Sequence, residues 1–144
     1  MLLPVLYLMG SEVPKADVYH AICTGYGGLL ACLGGHVYKK KVLLTEHGIY
    51  TREREEEIIR AKWVQPAFKK QWISFFYMLS DIIYTRAFLV SALFTNAMHA
   101  QIQMGCDKEK CRVVENGINY ERLSPIPLKE DCLLYTSDAA DEAR

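Results

Sequence analysis

Three short stretches hold the residues whose types and spacing could do chemistry. The densest is LLTEHGIYTREREEEIIRA, residues 43–61, where a carboxylate, an imidazole and a glycine follow an apolar run and lead into mixed charge. His47 can donate a hydrogen bond to a bound ligand, or it can cap a turn. Glu46 can orient that imidazole, contact a ligand hydroxyl, or stand as a solvated carboxylate at a strand end. Gly48 permits a tight turn after the strand. Arg52 and Arg54 carry the guanidinium fork that grips phosphate or an anionic acceptor. They suit i,i+4 ion pairs on a solvated helix face equally well. The second stretch is CTGYGG, residues 23–28, in which Gly25, Gly27 and Gly28 suggest a phosphate-cradling turn. It is not a GxGxxG fingerprint, and as a nucleotide motif it is weak. The third is ENGIN, residues 115–119, with the turn-forming pair Asn116 and Gly117.

Other chemistries find little support. Cys23, Cys32, Cys106, Cys111 and Cys132 form no CxxC pair, and no histidine lies close enough in sequence to complete a zinc set. They read as structural or incidental thiols of a reducing compartment. No Asp/Glu pair has a hydrolase spacing, and no Ser-His-Asp order stands out. His20, inside a strand pattern, reads as a satisfied core residue, and His99 carries no functional expectation. The chain has 17 basic and 17 acidic residues, which argues against a nucleic-acid partner. It leaves room for small anionic ligands, which need only a local site.

The elements that must position these residues follow from periodicity. ADVYHAI (16–22) reads as a strand entering the glycine turn, GGLLACLGGHVY as a short helix packed close to a sheet, and KKVLLTEHG as the next strand. The charged run reads as a helix with Thr51 as N-cap and Glu53 in its first turn. Its expected ion pairs are Arg52–Glu56 and Glu56–Arg60, and its apolar side is Ile58, Ile59 and Trp63. Pro66 opens a longer helix whose Phe68, Trp72, Phe75, Phe76 and Tyr77 read as core. AFLVSALF (87–94) is a buried strand, TNAMHAQIQMG a helix with Thr95 or Asn96 near its start and Gly105 as its stop, and CRVVENGIN a last short strand. The alternation predicts an α/β fold, a Rossmann-like parallel sheet with flanking helices, whose ligands bind beyond the carboxyl ends of the strands. All three stretches above fall at such ends.

The two termini read differently. MLLPVLYLMG has no basic n-region, is interrupted by Pro4 and is too short to span a bilayer, so it reads as a helix or buried segment of a cytoplasmic domain. Its abrupt apolar beginning suggests a start partway into a larger protein. CLLYTSDAADEAR (132–144) turns small and acidic without periodicity and looks like translated sequencing-adapter read-through.

At DVYHAICTGYGGLLA, LLTEHGIYTREREEEI and VSALFTNAMHAQIQMGCDKEKCRVVENGIN the chain resembles the PelF-type glycosyltransferases, retaining GT-B enzymes of exopolysaccharide biosynthesis, over roughly residues 11–123. The resemblance implies a cytoplasmic enzyme with its active site between two Rossmann-like domains. Residues 1–118 would be part of the N-terminal, acceptor-side domain, and 119–131 the start of a linker to a missing donor domain. The reaction implied moves a sugar from a nucleotide-diphosphate donor, a UDP-sugar, to a growing polysaccharide with retention. No cofactor or metal is implied, because positive groups and a helix N-terminus can stabilise the leaving diphosphate. The resemblance places His47 at the cleft as the catalytic candidate. It puts Glu46, Gly48, Arg52, Arg54, Gly25 and Gly27 on the substrate side, and Asn116 and Gly117 at the hinge. A chain lacking half the cleft would be inactive alone.

Two other readings stay open. One is a Rossmann-like module that binds a nucleotide or sugar without catalysis. The other is an interaction subunit of a membrane synthase complex that docks through the aromatic helix from Pro66 to Tyr84.

Overall fold

Parallel strands cannot be joined by tight turns, so each crossover must carry a helix, and the chain supplies one or two each time. The computed structural model describes residues 2–117 and 121. The order is α1 (Leu2–Met9), β1 (Val18–Ala21), α2 (Tyr26–Tyr38), β2 (Lys41–Glu46), α3 (Tyr50–Arg60), α4 (Pro66–Arg86), β3 (Leu89–Ala92), α5 (Thr95–Gln103), a 3-10 turn at Lys108–Lys110 and β4 (Cys111–Val113). The four strands pair in parallel in the spatial order β1-β2-β3-β4. This is the expected Rossmann-like α/β sheet.

A strand order that runs straight across the sheet, with crossovers of one hand, puts every helix on the same face. The register shows which face that is. Tyr19, Ala21, Val42, Leu44, Val90 and Cys111 are buried in one cluster with Ala31 and Cys32 of α2 and Ile83 and Tyr84 of α4. α2 packs on β1 and β2, and α5 on β3 and β4. A second cluster joins Ile58 and Val64 to Phe75, Phe76 and Leu79, and it fixes α3 against α4. Burial of each such side chain is worth about 1.5–3 kcal/mol, so α4 is held by both clusters, through Phe75, Phe76 and Leu79 in one and Ile83 and Tyr84 in the other.

The opposite face carries Val18, His20, Leu43, Thr45, Leu89, Ser91 and Arg112, and no helix packs on it among the described residues. His20 is therefore not a core residue: it is exposed and lies 2.8 Å from the Thr45 hydroxyl. Thr45 in turn sits 2.7 Å from Ser91, whose hydroxyl donates to the Leu44 carbonyl.

Several local expectations change. Thr51 is not the N-cap of α3. That position is Ile49, with no side-chain cap, while Thr51 is buried and bonded to the Ser80 hydroxyl. The ion pairs of α3 are Arg60–Glu56 and, one turn earlier, Arg54–Glu57 at 2.5 Å, and Arg52 forms none among the described residues. Ile58 is buried, but Ile59 and Trp63 are exposed because α4 covers a narrower stripe of α3 than the apolar spacing allowed. Phe75 and Phe76 are core, whereas Phe68 and Tyr77 face outward on the long α4. α1 is a helix, yet Leu3, Leu6, Tyr7 and Met9 are exposed on it. Gly105 ends α5 as expected, at φ 101°, a conformation that favours glycine. The linker at 119–131, the segment 132–144 and Cys132 lie outside the described residues, apart from Glu121. No helix among the described residues is long and apolar enough to cross a membrane.

Candidate active site at the carboxyl edge

Because the sheet is parallel, its four carboxyl ends share one edge. The β1 loop (Cys23–Gly25) and the β2 loop (His47–Gly48) are neighbours there, since β1 and β2 pair directly. The Leu93–Phe94 turn follows β3 on the same edge, with Phe94 exposed. Asn116 and Gly117 follow β4, a strand two places and about 10 Å from β2 in the sheet. The structure thus brings Gly25, Glu46, His47 and Gly48 together and leaves the third stretch at the far end.

The β1 loop depends on glycine. Gly25 has φ 87° and ψ −144°, which side chains avoid, and a Cβ there would lie 2.5 Å from the Tyr50 ring. The close approach joins the two loops. Tyr26 and Tyr50, one from each loop, then pack on α4, with ring centroids 6.5 and 6.0 Å from that of Phe76. Gly48 has no left-handed backbone. Its missing Cβ instead leaves room for the Glu53 carboxylate. Gly27 lies inside α2 and is exposed, with only the Cys23 sulfur near.

His47 is exposed on this edge. Beneath it, Glu46 is 1% exposed and takes four hydrogen bonds. Tyr84 donates at 2.7 Å, Gln101 Nε2 at 3.0 Å, the Thr24 hydroxyl at 3.4 Å, and the Tyr50 backbone N–H adds the fourth. Glu46 therefore neither orients His47 by a hydrogen bond nor reaches an acceptor hydroxyl from its buried position. It caps α3 from below and ties β1, β2, α4 and α5 to one carboxyl group.

The network runs further. Ser80 donates to Thr24 at 3.0 Å, so the proton of the short Thr51–Ser80 contact comes from Thr51. Hydroxyls thus donate in one direction, from Thr51 to Ser80 to Thr24 to Glu46. Burial nevertheless outweighs these donors and raises the Glu46 pKa. A protonated Glu46 needs an acceptor, and the Gln101 carbonyl oxygen is buried with no partner. Turning that amide by half a revolution puts its oxygen where Nε2 now sits, 3.0 Å from Glu46. Burial likewise raises the Cys23 thiol, with the Glu46 charge adding to the effect, so Cys23 is not an activated nucleophile.

The arginines divide. Arg52 is exposed and free to meet an anion, while Arg54 is half-buried, paired with Glu57 and stacked 5.3 Å from the Tyr50 ring centre. The N-termini of α2, α3 and α5 all open on the carboxyl edge, and none is capped by its own N-cap residue, although Glu46 takes one N–H of α3. Their free N–H groups and dipoles favour negative charge at this edge. No group of three His, Cys, Asp or Glu side chains with metal-ligand geometry occurs among the described residues.

Sequence reasoning missed the shelf under His47. Its signal was present in α4, where Ser80 and Tyr84 interrupt the apolar stripe of Phe76, Leu79 and Ile83. A second signal lay in Gln101, four residues after Ala97 on the buried side of α5.

Comparison with known families decides the kinship. Residues 1–109 match the family described as Domain of unknown function (DUF3492). The chain belongs to that family. The DUF3492 match spans α1 through α5 and so includes both neighbouring loops and every group that binds Glu46. A comparison with curated proteins gives no match.

Proposed function

We propose that this DUF3492 chain forms the acceptor-side half of a GT-B glycosyltransferase cleft, in a protein whose donor-binding domain is a separate segment. DUF3492 domains occur in GT-B glycosyltransferase-like proteins, and that membership is the observation that carries the reading. The reaction is transfer of a sugar from a nucleotide-diphosphate donor, a UDP-sugar, to a growing exopolysaccharide with retention, as in the PelF-type enzymes. His47 donates a hydrogen bond to the donor sugar or to the leaving phosphate. Arg52 and the uncapped starts of α2 and α5 supply positive potential as the diphosphate departs. Glu46 works at one remove: it fixes the β2 loop so that His47 needs little reorganisation.

The arrangement supports this reading, because in open parallel sheets ligands collect beyond the carboxyl ends of the strands. The test is a transfer assay on the protein of the native gene, with labelled UDP-sugars and an oligosaccharide acceptor. Product linkage and anomeric configuration are read by NMR. Transfer with retention is expected. Binding of a nucleotide sugar without turnover would favour a non-catalytic module instead.

A further inference from the structure

The turn between α5 and β4 brings two thiols together. Cys106 and Cys111 are 3% and 4% exposed, and the 3-10 turn Lys108–Lys110 folds the chain back so that their sulfurs stand 3.4 Å apart. Both thiols face one acceptor, the Asp107 carbonyl oxygen, at 3.9 and 3.4 Å. A disulfide has its sulfurs about 2.05 Å apart, so closure needs a shift of little more than about 1 Å. The other thiols among the described residues lie elsewhere, Cys23 in the β1 loop and Cys32 inside α2.

We propose that Cys106 and Cys111 are a modification site, a two-electron dithiol–disulfide couple that closes the α5–β4 turn on itself. With glutathione disulfide as oxidant, one cysteine thiolate attacks a glutathione sulfur and releases the first glutathione thiolate, leaving a mixed disulfide. The second cysteine then displaces the other glutathione. The two thiol protons go to the two departing glutathiones, and two electrons pass from the protein sulfurs to theirs. The adjacent sulfurs give the second step a high effective concentration, so the mixed disulfide does not accumulate. Burial pushes the Cys106 thiol up to about 12, which makes the couple slow to respond at neutral pH.

The turn also touches the shelf under His47. Cys106 N–H donates to the Gln101 backbone carbonyl at 3.0 Å, and Lys110 Nζ donates to the Tyr84 backbone carbonyl at 3.4 Å. Through their side chains Gln101 and Tyr84 are two of the four donors to Glu46, so the turn and the Glu46 network share two residues.

The test equilibrates the 144-residue chain in glutathione buffers of graded ratio, quenches with acid, unfolds it, alkylates free thiols and measures mass. Expected is loss of the mass of two hydrogens, two fewer alkylations, and one cross-linked peptide pair joining residues 106 and 111. The loss persists in Cys23→Ser/Cys32→Ser and disappears in Cys106→Ala. Peptide mapping of the wild type gives the same answer if a variant fails to fold. Persistent alkylation of all cysteines, glutathione adducts alone, or cross-links through Cys23, Cys32 or Cys132 would each overturn the assignment.

Discussion

Glu46 and His47 are adjacent in sequence and opposite in circumstance: one carboxyl is sealed under the sheet edge, while the next imidazole stands in solvent. Glu46 is the last residue of β2 and sits on its helix-covered face, while His47 lies just beyond the strand end. The buried member makes a prediction about pH. Its folded pKa is raised above the unfolded value of about 4.3, so the stability it contributes is complete below that value and declines as pH rises through the folded pKa. Glu46→Gln removes this dependence. Urea unfolding of wild type and variant at stepped pH checks it: the two curves converge in acid, and the wild type falls relative to the variant as pH rises. A constant difference across the range would show that Glu46 does not take up a proton on folding. His47 was legible as a strand-end residue, but the burial of Glu46 was not. Burial depended on Tyr84 and Gln101, which lie 38 and 55 residues away and become donors only once α4 and α5 are stacked.

At the scale of elements, the β1 and β2 loops form one unit because Gly25 lets the Tyr50 ring approach. Gly25→Ala should cost about 1–3 kcal/mol from backbone strain, with the overlap on Tyr50 added. Gly27→Ala, two residues on inside α2, meets only the Cys23 sulfur at 3.8 Å and should be neutral or stabilise by up to about 1 kcal/mol. Thermal or chemical unfolding of both variants separates the two glycines, and equal losses would mean that the loop–loop contact is not what Gly25 provides. The strands and the helices α2 to α5 were legible from periodicity, because α/β crossovers alternate a short apolar run with an amphipathic one, while α1 was open between a helix and a buried segment. Helix starts were less so. Thr51 has the composition of an N-cap, but a partner on α4, Ser80, takes its hydroxyl, and Glu46 caps the helix from another element. Sequence-local capping rules do not see partners of that kind.

Across the whole molecule, all-parallel sheets are ordinarily covered on both faces, and here the described helices lie on one. Val18, on the edge strand β1, is exposed on the other face opposite Lys41, and Leu43 and Leu89 pair with each other on that same face. The 144-residue chain is therefore expected to self-associate as concentration rises, and Val18→Lys to reduce it, because a charged residue on an edge strand discourages pairing. Sedimentation velocity over a concentration series reads this directly. A wild type that stays monomeric throughout would mean that the face is stable as it stands.

The measurement that bears most directly on the central claim is the kcat/KM of sugar transfer by the native gene product, compared between wild type and His47→Ala. His47 is exposed, so the substitution should change unfolding free energy by no more than about 0.5 kcal/mol. The account predicts a loss of about 100-fold or more in kcat/KM with stability unchanged, the size expected for one donor aimed at developing charge. Transfer within about twofold of wild type would contradict it and move the chemistry away from this edge of the sheet.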